Sequence, residues 1–293
     1  MDEVAFVPDE RARALASGRS RTIGLLLANL TSPYTADLIR SLQVEARGEG
    51  YAILLMDTGY GPDEEGEAAQ TLRQKRVDGV VAIPYGESPD QLRPLLQAGI
   101  PTVFVARYFA AEPSDVVRHD NRQTGYLAVK HLLDLGHRRI LYVNRQAAIS
   151  TVADRLAGVG EALAEAGLDP STVTTCDAMV TAAGGYAAVQ AAGRPFPYTA
   201  VVAYNDYCAL GVQRALAEAG YRVPHDISLV ACSDTGIGAY LPVRLTAIQE
   251  DWTDVGKQAL QLLLRRMQGG GEPPCSIVLP TQLVVRDSTV PPS

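Results

Sequence analysis

The chain has 293 residues, of which 47% are hydrophobic and 20% are charged, and its formal net charge is −7 at pH 7. This size and composition are typical of a globular protein with two domains. The acidic balance excludes a protein that coats nucleic acid, but it permits one that contacts DNA through a single small module.

The predicted location is cytoplasmic, with no membrane partner. No apolar run reaches the length of a membrane span, and no apolar secretory segment follows the first basic residue. The cysteines at 176, 208, 232 and 275 form no CxxC pair and have no metal-ligand spacing with the four histidines. We expect no disulfide, metal site or cofactor, and we expect Cys208 and Cys232 to be small buried side chains.

The first distinctive segment, residues 11–21, is basic and has helical propensity. It contains four arginines and no acidic residue. The alanines around Leu15 favour a helix, and Gly18 can end it. The segment leads directly into the first apolar run.

From Thr22 onward, short apolar runs alternate with amphipathic stretches. The candidate strands are Thr22–Ala28, Ala52–Met56, Gly79–Ile83, Thr102–Val105, Ile140–Val143, Ala200–Ala203 and Ile227–Cys232. The candidate helices are Thr35–Arg47, Gly125–Asp134, Arg155–Ala166, Tyr186–Ala192, Cys208–Ala219 and Val255–Met267. Continuous apolar strands are typical of parallel sheets that are covered on both faces. The alternation therefore predicts an α/β fold built from doubly wound parallel sheets.

Glycines mark the ends of several predicted helices. Gly136, Gly220 and the run of glycines at 269–271 each follow a helical pattern. His137 comes directly after Gly136, so we interpret it as a helix-exit residue and not as a catalyst.

Ordered segments across nearly the whole chain resemble the LacI/GalR family of bacterial transcriptional regulators. The segments are Pro8-Asp9-x-x-Ala12-Arg13-x-Leu15, Arg155-Leu-Ala-Gly158, Thr199-Ala-Val-Val-Ala-Tyr-Asn-Asp-Tyr-Cys-Ala-Leu-Gly211, Val223-Pro-His-Asp-Ile-Ser-Leu-Val230, Leu245-Thr-Ala-Ile248 and Leu283-Val-Val-Arg-Asp-Ser-Thr289. One such segment is weak evidence, whereas the ordered set is specific. The resemblance implies the fold of periplasmic sugar-binding proteins and a homodimer.

This fold implies that the chain forms two parallel-sheet lobes, which are joined by three crossovers in a hinged clamshell. The N-terminal lobe would contain residues 22–118 and about 250–274, and the C-terminal lobe residues 119–249 and about 275–293. Helix Val255–Met267 would return to the first lobe. Strands Ser276–Leu279 and Leu283–Arg286 would finish on or near the second.

Residues 1–21 resemble the last turn of a DNA-binding head followed by the family's hinge. Arg11, Arg13, Leu15 and Arg19 would then form a helix in the DNA minor groove, with Leu15 inserted into a base step. The helix-turn-helix head that reads operator DNA in this family is missing from the chain. We favour truncation over natural loss of the head. From the residues alone, an exposed tail with scattered arginines stays an alternative.

The resemblance also implies that a small-molecule effector binds between the lobes, at the carboxyl ends of the strands. The matching positions are Ser32, Tyr34, Thr35 and Arg107 in the first lobe, and Arg155, Val180, Asn205, Ser233, Asp234 and Glu250 in the second. An asparagine can bridge neighbouring hydroxyls, arginines suit diols or anions, and Tyr34 can stack on a sugar ring. A salt bridge of Arg155 with Glu250 that joins the lobes is the alternative.

The chain departs from the sugar-binding pattern of the family at four positions. Relatives often have asparagine at the position of Ser32, aspartate at those of Ala106 and Ser233, and glutamine at that of Glu250. Two carboxylates that hold hydroxyls are therefore missing, and one has been added. We expect a larger glycoside or an anionic sugar derivative as the effector, and the two arginines favour the anion if Glu250 is turned away.

The resemblance predicts that the protein is an effector-sensing transcriptional regulator. A carbohydrate that binds to it would alter its binding to operator DNA. A solute-binding protein for sugar uptake is the alternative, which the lack of a signal peptide and the hinge motif both oppose. An enzyme is disfavoured because no GxSxG elbow, P-loop, dinucleotide glycine motif or paired metal ligands occur. Asp206 could supply an acid or base, but it lies in a string that is typical of the family.

Overall fold

The computed structural model describes residues 19–32, 34–145, 149–269 and 271–292. They divide into two compact units. The first contains the described residues up to Arg118 together with Trp252–Ile277, and the second contains His119–Asp251 and the described residues from Val278 onward. The chain therefore passes from one unit to the other at three places.

The first sheet has six strands, nearly all of them in the first unit. They are β1 (Thr22–Leu27), β2 (Ala52–Asp57), β3 (Gly79–Ile83), β4 (Thr102–Val105), β5 (Val116–His119) and β11 (Ser276–Leu279), in the spatial order β11-β5-β4-β3-β1-β2. The accompanying helices are α1 (Thr35–Gly48), α2 (Pro62–Gln74), α3 (Arg93–Gln97) and α8 (Trp252–Met267), with a 3-10 turn at Asp90–Leu92. From β2 to β5 all pairs of neighbouring strands are parallel.

The second sheet also has six strands and lies in the second unit. They are β6 (Ile140–Arg145), β7 (Val173–Ala178), β8 (Ala200–Ala203), β9 (Ser228–Ala231), β10 (Thr246–Gln249) and β12 (Gln282–Val284), in the order β12-β10-β9-β8-β6-β7. The helices are α4 (Asn121–Asp134), α5 (Ser150–Glu165), α6 (Ala182–Ala191) and α7 (Asp206–Glu218), with 3-10 turns at Pro170–Thr172 and Ile237–Tyr240. β12 is antiparallel to β10, and the other pairs are parallel.

The core of the second unit covers both faces of its sheet, as the apolar strands predict. Leu141 and Val143 pack into one buried cluster, whereas Ile140 and Tyr142, which alternate with them along β6, pack into another. Side chains of a strand alternate between faces, so a strand with helices on both sides must be apolar throughout. The predicted α/β class with parallel sheets is confirmed.

The strand Ser276–Leu279, predicted to finish on or near the C-terminal lobe, pairs with β5 at the edge of the first sheet. The boundary between the two units falls inside this strand, between Ile277 and Val278, so each unit contains part of β11. The backbone N–H of Val116 donates to the carbonyl of Cys275, and that of Asp120 donates to the carbonyl of Leu279. β5 is paired on its other side with β4, so β11 occupies the free edge of β5.

Sequence periodicity missed β5, β7, α2 and the short helix α3. β7 is an edge strand on which buried and exposed residues are mixed, so it lacks the continuous apolar run that identified the others. α2 is rich in acidic residues and buries chiefly Ala68, Ala69 and Leu72. β2 was found, but it too is an edge strand and its residues are half-buried or exposed.

The predicted helix ends at Gly136, Gly220 and Gly269 are confirmed, since all three have positive φ angles of 99°, 87° and 91°. His137 is buried, and its ring nitrogens contact Thr199 Oγ1 and the carbonyl of Val290, both at 2.9 Å. These contacts anchor the end of the chain to the second unit. Cys208 and Cys232 are fully buried, as expected.

Helices α4 and α5 approach so closely that glycine is needed where they meet. A Cβ atom on Gly125 would collide with the backbone of Arg155, and one on Gly158 would collide with the backbone of Arg122. This close packing fixes the position of α5, and with it the position of Arg155. In the described part of the chain, no helix is long and apolar enough to cross a membrane.

Candidate functional site

Arg155 is the centre of a buried polar cluster in the second unit. It projects from α5 and is 4% exposed. Its Nε donates to Asn121 Oδ1 at 2.9 Å, and Nη1 donates to the carbonyl of Tyr204 at 3.0 Å. The guanidinium also lies 4.6 Å from the centre of the Tyr204 ring, within the range of a cation–π contact. Two hydrogen bonds and an aromatic ring therefore fix its orientation.

Glu250 compensates the charge of Arg155. Its Oε1 lies 3.4 Å from Arg155 Nη2, and its Oε2 accepts a hydrogen bond of 2.8 Å from Ser233 Oγ. The side chains of the ion pair are 4% and 3% exposed, so water screens them little. Ser233 follows β9 and Glu250 follows β10, which places both at the carboxyl ends of neighbouring parallel strands.

This geometry bears on two expectations. The ion pair of Arg155 with Glu250 lies within the second unit, so this pair itself does not join the lobes. The condition that favoured an anionic effector fails, because Glu250 is not turned away but pairs with Arg155. A guanidinium that is already paired with a carboxylate attracts a second anion much less than a free one does.

Asn205 has a structural task in addition to its predicted one. It is the N-cap of α7, where its Oδ1 accepts from the N–H of Cys208 at 2.7 Å. Its Nδ2 donates to the carbonyl of Val180 at 3.3 Å. An amide carries two hydrogens and two oxygen lone pairs, so these bonds leave one donor and one acceptor for a ligand. Val180 itself is half-buried.

Asp234 is held in the turn that follows β9. Its Oδ1 accepts from the N–H of Gly236 at 3.0 Å, and its Oδ2 pairs with Arg286 at 2.5 Å. Nearby, the fully buried Asp206 accepts from the N–H and the hydroxyl of Thr235. Burial raises the pKa of Asp206, although the bonds from Thr235 oppose that shift. Both aspartates therefore stabilise the loop structure at this edge of the sheet.

The loop after β1 brings three predicted residues into ordered positions in the first unit. Ser32 Oγ lies 3.2 Å from the hydroxyl of Tyr60. Thr35 is buried and donates from Oγ1 to the carbonyl of Asn29 at 3.3 Å. The ring of Tyr34 stacks on that of Trp252, with centres 4.0 Å apart and planes inclined by 16°. This pair provides an aromatic platform in the first unit.

Arg107 is 5% exposed and lies against the backbone of the first unit. Its Nη1 donates to the carbonyls of Pro84 at 2.5 Å and Tyr85 at 3.5 Å. Glu65 lies in the same region and accepts from the N–H of Tyr85 at 2.7 Å. Burial raises the pKa of Glu65, whereas the Tyr85 N–H bond and the charge of Arg107 act to lower it. Ala106 precedes the arginine with a φ of 68°, a left-handed turn that sets the direction of the next residue.

The DNA hinge prediction falls largely outside the described residues. Arg11, Arg13 and Leu15 precede residue 19, where the description begins. Arg19 is exposed and lines a cleft of about 410 Å³ together with Arg73, Arg76 and Asp78. Asp78 accepts from the N–H groups of Ser20 and Arg21, which ties the entering chain to the start of the first sheet. The DNA contacts of the hinge stay a prediction.

Three contact residues were missed by the sequence reasoning: Asn121, Tyr204 and Trp252. Asn121 is the first residue of α4, two residues after the end of β5. Because β5 was itself not recognised, the rule that sites lie at strand ends was never applied to Asn121. Tyr204 follows β8 and could have been found by that rule. Trp252 is the one tryptophan of the chain, but its pairing with Tyr34 depends on the return of the chain to the first unit. Among the described residues, no group of three or more His, Cys, Asp or Glu could hold a metal ion.

Comparisons with known proteins agree with this arrangement. Residues 129–289 match the family described as "Periplasmic binding protein-like domain". The transcriptional regulator DegA of Bacillus subtilis (strain 168) is 30% identical to the chain over 296 residues, which covers 99% of this chain and 87% of DegA.

Solved structures show the same relationship. A LacI family transcriptional regulator from Enterococcus faecium with bound ribose matches with a TM-score of 0.83 and 28% identity, over 93% of this chain and all of that one. The lac repressor dimer bound to operator and an anti-inducer matches with a TM-score of 0.85 and 25% identity, over 97% of this chain and 99% of that one. These relatives are regulators of transcription and not enzymes.

Proposed function

Because the chain belongs to the LacI/GalR family of transcriptional regulators and forms its effector-binding core, we propose that it senses a small carbohydrate or sugar derivative. The observation that carries the proposal is the cluster of Arg155, Asn121, Glu250 and Ser233 at the carboxyl ends of parallel strands. Ligands of open parallel sheets bind at this edge. Buried and fixed hydrogen-bonding groups are what a polyhydroxylated ligand requires for orientation.

The first unit supplies features of the same kind. The stacked rings of Tyr34 and Trp252 offer an apolar face for the CH groups of a sugar ring, and Ser32 offers a hydroxyl. The Enterococcus faecium relative has bound ribose, which supports a sugar as the effector class here. The proposed contact residues are those predicted from the sequence: Ser32, Tyr34, Thr35, Arg107, Arg155, Val180, Asn205, Ser233, Asp234 and Glu250.

We propose that the effector acts on operator DNA by shifting a conformational equilibrium. A ligand that binds one arrangement of the protein more tightly increases the population of that arrangement. A coupling free energy of about 1–3 kcal/mol would change DNA affinity about 5–150-fold. The operator-bound dimer of the lac repressor supports a homodimer as the functional form. A cytoplasmic location is part of the proposal because operator DNA is there.

A thermal-shift screen tests the effector class. The panel contains ribose, cellobiose, gluconate, glucose 6-phosphate and the nucleobases adenine and hypoxanthine. A sugar at a hundredfold excess over its Kd should raise Tm by about 4–5 °C, because binding adds about 2.7 kcal/mol to the stability of the folded state. Stabilisation by a nucleobase alone, or by no member of the panel, would refute a sugar effector.

Two variants locate the binding. Tyr34→Ala removes the stacked ring and should weaken sugar binding, whereas the matched control Tyr240→Ala removes a ring that is 89% exposed and should leave binding unchanged.

The contact of the hinge with DNA is tested separately. In a version that carries a DNA-binding head, Leu15→Ala should weaken operator binding while effector affinity stays nearly constant. Equal loss of both affinities would show that Leu15 is structural.

A further inference from the structure

Asn144 carries a buried polar atom that the fold does not satisfy. It lies near the carboxyl end of β6, and the residue is 2% exposed. Its side-chain oxygen, Oδ1, has no hydrogen-bond partner within the part of the chain that the structure describes. An unsatisfied buried acceptor costs about 1–3 kcal/mol, and most buried polar groups in native proteins are paired. Such an atom therefore indicates a partner that is not part of the protein.

The position of Asn144 places it at the edge where the polar cluster lies. Asn144 is two residues beyond Tyr142, so both side chains project from the same face of the sheet. Tyr142 packs on that face with the buried side chains of α4 and α5, the helix that carries Arg155. Val143 is paired with Ala203 of β8, so the next step along both strands sets Asn144 beside Tyr204. The carbonyl and ring of Tyr204 are the groups that hold Arg155.

The unsatisfied atom is an acceptor, and this restricts the chemistry of its partner. Only a group with an O–H or N–H can donate to it. A carboxylate or phosphate group placed against Asn144 Oδ1 would present only further acceptors to it. A hydroxyl group, in contrast, can donate a hydrogen bond to it.

We propose that Asn144 is a specificity-determining residue of the effector site, and that its Oδ1 accepts a hydrogen bond from a hydroxyl of a polyhydroxylated effector. This inference rests on the proposed sugar-sensing function and names a further contact residue for it. A ligand whose carboxylate or phosphate lay against Asn144 Oδ1 would not form that hydrogen bond.

The experiment compares the protein with Asn144→Leu, which has similar size and no polar atom, and Asn144→Ala, a smaller second variant. Calorimetric titrations use ribose and cellobiose as neutral probes, and gluconate and glucose 6-phosphate as anionic probes. We expect a neutral sugar to bind the unchanged protein and to lose about tenfold or more in affinity in both variants. We also expect the ligand-free Tm of Asn144→Leu to be unchanged or higher, because no protein contact is lost.

The outcomes separate this inference from the proposed function. If a neutral sugar binds all three proteins equally, Asn144 has no such role, although the sensing of sugars stands. Tight binding of gluconate or glucose 6-phosphate that is unchanged in both variants would likewise overturn the role of Asn144. If no probe binds, the proposed function fails. If the ligand-free Tm of Asn144→Leu is lower than that of the unchanged protein, the fold itself satisfies the Asn144 amide, and the inference is overturned. If both variants lose about tenfold or more in affinity for a neutral sugar, the result supports both the sensing of sugars and the role of Asn144.

Discussion

Replacing Arg155 by methionine tests whether the ion pair with Glu250 holds the second unit together. Arg155→Met keeps much of the length of the side chain but removes its charge and all of its donors. Three groups lose their partner: Asn121 Oδ1, the carbonyl of Tyr204 and Glu250 Oε1. The most costly is Glu250, whose side chain is 3% exposed and would lose the guanidinium that compensates its buried charge.

The expected loss is about 3–5 kcal/mol in the free energy of unfolding, the range for breaking one side of a buried ion pair. Urea unfolding of the ligand-free protein, followed by far-UV circular dichroism, measures it. Trp252 is the one tryptophan and belongs to the first unit, so its fluorescence follows that unit separately. A loss confined to the second unit would shift the dichroism midpoint more than the fluorescence midpoint.

A double-mutant cycle isolates the pair itself. Glu250→Gln combined with Arg155→Met should be less destabilised than the sum of the single variants, by about 0.5–3 kcal/mol. The control is Arg214→Met, which removes an exposed i,i+4 pair with Glu218 and should cost about 0.3–0.5 kcal/mol. Additive losses in the cycle, or equal losses for Arg155→Met and Arg214→Met, would refute the reasoning.

Three further predictions follow from buried groups elsewhere in the chain. Burial lowers the pKa of His119, His131 and His137 below 6.5. The stability that their neutral forms provide is therefore complete above pH 6.5 and decreases as the pH falls through the lowered pKa values. The urea midpoint should fall between pH 7.5 and pH 5, and it should fall less in the double variant His131→Gln/His137→Gln. Gly158→Ala should lower Tm because its Cβ would collide with the backbone of α4. The control Gly160→Ala, on the same helix, has free space and should raise the free energy of unfolding by about 0.5–1 kcal/mol. Equal effects of the two variants would contradict the close packing of α4 and α5. Ser288→Ala leaves the N–H of Thr246 without its acceptor and should lower the free energy of unfolding, measured by chemical denaturation, by about 1–3 kcal/mol. The control Ser88→Ala removes an exposed hydroxyl and should change it by almost nothing.

Sequence periodicity was sufficient for the strands and helices whose burial is uniform. β3, β8 and β9 are buried at every residue, and such runs are apolar throughout whichever partner they pair with. The edge strands β7 and β11 have mixed patterns because one side of each meets solvent. β7 was missed for this reason, whereas β11 was predicted with its observed bounds. The sheet to which β11 belongs depends on which strand has a free edge, and no local pattern records that.

The residues of the candidate site show the same division. Family motifs in the sequence predicted Arg155, Asn205, Ser233 and Glu250 as contact residues. Asn205, Ser233 and Glu250 follow strands, whereas Arg155, predicted to start a helix, lies inside α5, which begins at Ser150. Their chemistry was decided by tertiary structure. Glu250 became the partner of Arg155, and Asn205 became a helix cap with half of its hydrogen-bonding capacity still available.

The sequence by itself therefore determined the α/β class, the family and the positions at strand ends, since these depend on local pattern and on ordered motifs. Only the tertiary structure decided which charges compensate each other and which polar atom is left without a partner. Asn144 is the clearest case: its sequence neighbours mark it as part of a strand, and its oxygen matters because of what packs around it. The cost of burying a polar atom is set by every group within hydrogen-bonding distance, and those groups come from distant parts of the chain.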